Sequence, residues 1–489
     1  MTMNLSRRLF LHSGLMTGAA LAVAPKVFAE PTLPGWHVGY SNAPAAGYPR
    51  AEMKLVRGRA PAGLTGTLYR NGPAHFKHGD AYATHWFDGD GMVQRIAIGE
   101  GKAVHSGKFV DTQKRRIEMA AGKFLAPGFG TVGDPSYPVG SSDDVNPGNI
   151  SVMMSGGELL ALWEAGSPYR MDPVTLETKG LKSFRNDLKG MPFLAHPKRE
   201  PDGRVWGLAI SNRKIGIYNI NPDGSTKSFG MVDIGASHYM HDWAMTERKL
   251  IILCQPWIQT KNIPPFIDGF VWKPEDGMKY LIVDKDDLTK TRWAQGPARS
   301  FYHTGAAWEE SDGTIRLDAA FYPQPILGTG GGADEIRGKY SGDSVSSKLT
   351  MATIPVSGDV KMVETNIAGD FPQVDPRRHG LAHKLTTMIT GSVEGQPGGS
   401  ALAVQDWSSG KVQIHDFGAE YMVEEFLFTP KGSGAAETDS WLIGTAINTK
   451  LQRSEVHVFD AGHVDAGPVA VWQAEYAWPL GFHGTWAGA

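Results

Sequence analysis

At 489 residues the chain is long enough for several domains, but large β-architectures such as propellers reach this size as one domain, so length alone does not divide it. A formal net charge of −3 with no long basic run argues against a nucleic-acid partner, and one cysteine, Cys254, excludes a disulfide framework and any cysteine-rich metal site. What remains is a partner that is small and apolar, and a thiol that is reduced and buried.

Residues 1–29 stand apart from the rest. Ser6-Arg7-Arg8-Leu9-Phe10-Leu11 precedes an apolar, small-residue stretch over residues 14–23 and then Val27-Phe28-Ala29. This is the layout of a twin-arginine export signal, and the stretch is too short to span a bilayer comfortably. The expectation is a cleaved signal at 1–29, a single domain over 30–489 and a periplasmic location.

From about residue 45 the sequence reads as all-β. No amphipathic helical run of convincing length occurs, and short apolar strands alternate with turn residues drawn from 60 glycines and 31 prolines. A strand, a polar turn and a returning strand recur at 169–177, 217–224, 280–293, 349–364, 401–417 and 456–472. Intervals of roughly 45 to 70 residues match four-stranded propeller blades with added loops. Strands near Leu68 pairing with the C-terminus would supply a seventh blade and close the ring. A β-sandwich is the competing architecture, and it has no need of so many similar hairpins.

Four histidines sit in short distinctive contexts: Ala195-His196-Pro197-Lys198, Met240-His241-Asp242-Trp243, Phe301-Tyr302-His303-Thr304 and Gly481-Phe482-His483-Gly484. They are spread over most of the chain, so only a closed fold can gather them into one metal site. Imidazole suits Fe(II), Zn(II) and Cu(II) alike, and the ligands alone do not choose. The other pairs, His75 with His78, His238 with His241 and His379 with His383, have spacings that would bind metal on a helix, but no helix is expected there. His75, His78, His379 and His383 read as loop or surface histidines, His238 as a support for local structure, and His85 as a packing residue.

Taken with Leu68-Tyr69-Arg70-Asn71-Gly72-Pro73 and Thr84-His85-Trp86-Phe87-Asp88-Gly89-Asp90-Gly91-Met92, the four histidine motifs in this order resemble the carotenoid cleavage oxygenase family, from about residue 35 to the C-terminus. The resemblance implies a seven-bladed β-propeller with a capping face, one non-haem Fe(II) on its axis held by His196, His241, His303 and His483, and O₂-dependent cleavage of an alkene into two carbonyl products. Metal-bound histidines usually donate their second ring N–H to a carboxylate. The resemblance places such partners at Glu164, Glu425 and Asp370, the last an aspartate where the family usually has glutamate.

The resemblance also marks three substrate positions. Ile150 stands near the open side of the iron and should discourage a bound water, while Phe109 and Trp163 occupy the places where stilbene-cleaving members carry a tyrosine and a lysine that hold a phenolate. Neither can neutralise a phenolate, so an apocarotenoid or carotenoid-like polyene is the expected substrate, with a stilbene or phenylpropanoid alkene as the alternative. A propeller that only binds an apolar ligand is the non-enzyme alternative, and retention of all four histidines speaks against it. The apolar runs 264–272 and 124–129 form either a membrane-facing tunnel mouth or buried inter-blade loops.

Overall fold

The computed structural model describes residues 33–488 apart from 329, 341 and 343–345, so the signal expected at 1–29 lies outside the described residues. Residues 35–489 form one compact unit. Among the described residues the main sheets are antiparallel and group into seven four-stranded units. Blade 1 combines Gly66–Pro73, Gly91–Gly99 and Lys102–Phe109 with the C-terminal strand His483–Gly488. Blades 2, 3 and 4 follow within residues 151–181, 198–233 and 244–296.

Blades 5 and 6 share a strand. Lys361–Gln373 pairs first with Lys348–Ile354 (Met351↔Val363) and then, past a break in register, with Leu385–Thr390 (Asp370↔Ile389). At the crossing, Gly369 has φ +155°, and a Cβ built there would lie 1.9 Å from the Ile389 carbonyl oxygen. Only glycine fits such a close approach. Blade 7 lies within residues 421–473.

The ring closes twice. Leu68 pairs with Trp486, which places the last strand of the chain inside blade 1. Tyr48–Gly58 then bridges the outer edges of two blades, pairing Met53 with Ala103 and Leu55 with Trp472. That strand covers the outer edges of blades 7 and 1, which would otherwise invite pairing with another chain. All six hairpins expected from the sequence are the outer strand pairs of blades 2 to 7. Cys254 is free and fully buried in blade 4, and burial pushes its thiol up to about 12.

One helix departs from the all-β expectation. Gln113–Ala121 is α-helical, capped by the Thr112 hydroxyl, which accepts from the Arg115 N–H at 3.1 Å, and ended by Gly122 at φ +64°. Its buried residues are Lys114, Arg115 and Glu118 rather than apolar ones, so no hydrophobic periodicity announces it. Asp90 holds Lys114 and Arg115 at 3.0 Å each, while Glu118 accepts from the Leu125 and Ala126 N–H groups at 2.8 Å. Asp88 accepts from the Phe129 and Gly130 N–H groups at 2.6 and 3.0 Å. The acidic residues of the Asp88-Gly89-Asp90 segment thus fasten the capping segment to blade 1. Among the described residues no helix is long and apolar enough to cross a membrane.

Candidate metal centre

The four histidines expected to ligate metal come together. One ring nitrogen from each of His196, His241, His303 and His483 lies within 4.8 Å of the others. His483 opens the inner strand of blade 1, His303 lies in that of blade 5, and His196 and His241 immediately precede the inner strands of blades 3 and 4. The Nε2 atoms of His196 and His241 are 3.0 Å apart, and those of His241 and His303 are 3.2 Å apart.

These contacts are not a hydrogen-bonded set. His241, His303 and His483 each direct Nδ1 at a carboxylate, at 2.7 Å to Glu164, 2.8 Å to Asp370 and 2.9 Å to Glu425. A neutral imidazole has one N–H, and hydrogen bonds to Asp370 and Glu425 place it on Nδ1 in His303 and His483, with Glu164 against the same atom of His241. Those rings turn Nε2 toward a shared gap that a cation makes favourable. Burial, reinforced by the neighbouring imidazoles, holds His196 well below the ordinary histidine range. Burial likewise lowers His483, to about 4, against the pull of Glu425. At His303 burial also opposes charge, but Asp370 outweighs it and raises the ring above its usual range. Four imidazoles converging in one buried place fit an ion that takes nitrogen ligands.

The three carboxylates expected behind the ligands are where the sequence placed them. Glu425 belongs to the inner strand of blade 7, Asp370 to that of blade 6, and Glu164 to the loop after the second strand of blade 2. Asp370 reaches His303 in spite of its short side chain because the backbone bends at the register break, with Phe371 at φ +59°. The same bend lays the Phe371 ring on His303, at 4.7 Å between centroids and 26° between planes. Sequence reasoning missed Phe371 because its place depends on that bend.

Lys198, Asp242 and Thr304 were also missed. Each lies within two residues of a ligand, and Asp242 receives Lys198 Nζ at 2.7 Å and the Thr304 N–H and hydroxyl at 2.7 and 2.8 Å, tying three blades together beside the site.

Ile150 is buried against Phe482 and Ala195, neighbours of two ligands, and its carbonyl accepts from the His483 N–H at 3.3 Å. Trp163 packs on the same cluster. Phe109 lies elsewhere: it packs in a separate cluster of blades 1 and 7, 3.6 Å beneath the Arg115 guanidinium. It supports the cap helix instead of standing beside Trp163.

The histidines set aside from the site need one correction. His75, His78 and His383 are buried, not surface residues. His75 and His78 pack edge to face at 4.4 Å near Asp90, and His383 lies 3.2 Å from Asp318. His238 supports local structure through Nδ1 and the Gln255 carbonyl at 2.8 Å, and His85 packs between Phe87 and Phe129. The two apolar runs meet, Phe266 and Ile267 donating to the carbonyls of Gly128 and Phe129 at 3.1 Å. They join the aromatic cluster of Tyr239, Trp257, Tyr302 and Tyr322 next to a cavity of about 650 Å³ whose lining mixes Trp257, Phe270, Trp272 and Leu327 with Asp268 and Gln324.

The chain is 29% identical over 465 residues to apocarotenoid-15,15'-oxygenase of Synechocystis sp., covering 88% of this chain and 92% of the relative. It is 25% identical to resveratrol cleavage oxygenase 1 of Aspergillus fumigatus, over 88% and 91% of the two chains. The crystal structure of cobalt-substituted Synechocystis apocarotenoid oxygenase superposes with a TM-score of 0.84 at 27% identity, covering 93% of this chain and 98% of that one. The family described as retinal pigment epithelial membrane protein matches residues 42–488, and the chain belongs to that family of carotenoid cleavage oxygenases.

Proposed function

We propose that the chain is an Fe(II)-dependent dioxygenase that uses O₂ to cleave one C=C bond of an apocarotenoid or carotenoid-like polyene into two carbonyl products. The observation that carries this reading is the convergence of four imidazole nitrogens within 4.8 Å, beside the apolar cluster of Ile150, Phe482 and Trp163. Iron, held by His196, His241, His303 and His483, would supply the redox chemistry that lets O₂ react with an alkene. The alkene supplies all the electrons that O₂ takes up, so no organic co-substrate is needed.

The residues of the chain do the rest. Glu164, Asp370 and Glu425 fix the Nδ1–H tautomers and so present bare Nε2 donors. Ile150, Trp163, Phe482 and Phe371 exclude water from the reacting alkene. The aromatic cluster around Tyr239, Trp257 and Tyr302 offers a long apolar chain a surface to lie on.

Trp163 decides the substrate class. A phenolate beside it would lose hydration without gaining a partner, a loss of roughly 1–3 kcal/mol for an unpaired polar group, whereas a polyene loses nothing. The account expects a higher kcat/KM for an apocarotenal than for a 4-hydroxystilbene, and gain of hydroxystilbene cleavage in Trp163→Lys. The reverse order of kcat/KM would favour the stilbene or phenylpropanoid reading.

Location and partners follow the same line. The Ser6-Arg7-Arg8 motif supports export by the twin-arginine route to the periplasm, a route that carries folded, metal-loaded protein. Ile263, Phe266 and Val271 are 41–46% exposed beside the aromatic cavity, which suits peripheral contact with the membrane that dissolves a polyene. Sedimentation with phospholipid vesicles that is lost in Phe266→Glu would support that contact. Equal sedimentation of both proteins would remove it.

A further inference from the structure

Asp370 has more partners than orienting one imidazole requires. Its Oδ1 accepts from His303 Nδ1 at 2.8 Å and from the Phe371 N–H at 2.7 Å, while the Tyr322 hydroxyl donates to Oδ2 at 2.8 Å. Tyr322 ends the second strand of blade 5 and Asp370 begins the inner strand of blade 6, so the contact joins two sheets behind one ligand. We propose that Tyr322 is a positioning residue of the metal centre, fixing through the Asp370 carboxylate the direction in which His303 presents its Nε2.

Three observations carry this. An aspartate has a short arm with two rotatable bonds, and donors on both oxygens leave it no other orientation. Tyr322 is buried, and burial beside Asp370 drives its phenol well above its ordinary range, so the hydroxyl stays protonated and donates. Its ring packs against Tyr302, the residue before His303, at 5.3 Å, and both belong to the aromatic cluster beside the cavity. Tyr322 is thus held at its ring and at its hydroxyl, as a rigid brace requires.

The brace is matched to aspartate. A glutamate at position 370 would carry its carboxylate about 1.5 Å further, the length of one C–C bond, into either the imidazole or the phenol oxygen. Tyr322 and Asp370 should therefore be coupled in a way that independent residues are not.

The proposal rests on reading the four histidines as a metal site, and the test separates the two. Full-length protein, Tyr322→Phe, Asp370→Glu and the double variant would be loaded with Co(II), and the visible absorption envelope and the rate of Co(II) transfer to a chelator recorded. Removing a partner of a ligand changes metal affinity by about 10 to 100-fold. Tyr322→Phe, which loses one indirect contact, should speed release about tenfold and shift the envelope, while the melting temperature of the metal-free protein stays close to wild type. Asp370→Glu should do at least as much, and the double variant should release Co(II) more slowly than Asp370→Glu alone.

Wild-type release and spectrum in Tyr322→Phe, or strictly additive effects in the double variant, would overturn the proposal. Should Tyr322→Phe fail to fold, wild-type release from Asp370→Glu would overturn it as well. Wild-type protein that takes up no Co(II) would overturn the metal reading and the proposal together.

Discussion

Two sides of the metal centre are held in unlike ways. Behind His483, Glu425 is buried, accepts from His483 at 2.9 Å, Gln373 at 2.8 Å and the Gly484 N–H at 2.8 Å, and lies 3.7 Å from Arg70. Behind His241, Glu164 lies in a loop with its side chain 23% exposed, and His241 at 2.7 Å is its one polar partner among the described residues. Both carboxylates lie against the Nδ1 of a histidine of the site, but only one is itself fixed. The Glu425 side is built into the closure of the ring, where the last strand joins blade 1, while the Glu164 side follows a strand end facing the apolar cluster. One side serves fold and metal together, and the other serves the metal with room to adjust.

The largest expected effect erases the comparison. His196→Ala, His241→Ala, His303→Ala or His483→Ala should each remove most bound iron and all cleavage, measured as metal content and product, whereas His75→Ala and His379→Ala should keep iron. Full activity with iron retained in His483→Ala would contradict the four-histidine assignment.

The next effect separates fold from site. Arg70 is buried, donates to the Glu425 and Phe482 carbonyls at 3.1 and 3.3 Å, and stands 3.6 and 3.7 Å from Glu424 and Glu425. Removing one partner of a buried ion pair costs about 3–5 kcal/mol. Arg70→Met should therefore lower denaturant stability by that order even without metal, and a loss under 1 kcal/mol would show that the Glu425 side is not braced as described.

A smaller pair of variants measures the asymmetry itself. Glu164→Gln should lower metal affinity or turnover by roughly 10 to 100-fold while leaving the melting temperature of the metal-free protein near wild type. Glu425→Gln should lower affinity and melting temperature together. Equal melting temperatures for the two would break the comparison.

The smallest effect lies outside both sides. His105 in blade 1 sits between Gln94 and Tyr476, each at 2.9 Å, and burial lowers it to about 3. Unfolded, it titrates near its ordinary 6.5. A histidine depressed in the folded state contributes stability that is present above pH 6.5 and lost as pH falls toward 3. Each such proton is worth about 1.4 kcal/mol per pH unit in that window. His105→Gln should flatten the acid slope of stability below pH 6.5 by up to one proton, and an unchanged slope would contradict its neutral burial.

Much of this was legible in the chain itself. The hairpins repeat because every blade buries strands between two neighbours, and the four histidines stand in short words that do not depend on distant packing. The helix Gln113–Ala121 was hidden because its buried face is Lys114, Arg115 and Glu118, held by Asp90 from another element. His75, His78 and His383 were read as loop or surface residues, and their burial was not foreseen because spacing carries no information on packing near Asp90 or Asp318. Phe109 was placed near the substrate by its motif, yet its ring is covered by Arg115 of the same unforeseen helix. Asp370, one methylene short, reaches His303 only through the bend at Gly369 and Phe371, a backbone property that no side-chain pattern announces.

The most direct test of the central claim is oxygen uptake by purified protein loaded with one Fe(II) per chain and supplied with an apocarotenal in detergent. The account expects one O₂ consumed per alkene cleaved, two carbonyl products, and neither in His303→Ala. Iron-loaded protein that consumes no O₂ with an apocarotenal or a stilbene would contradict it.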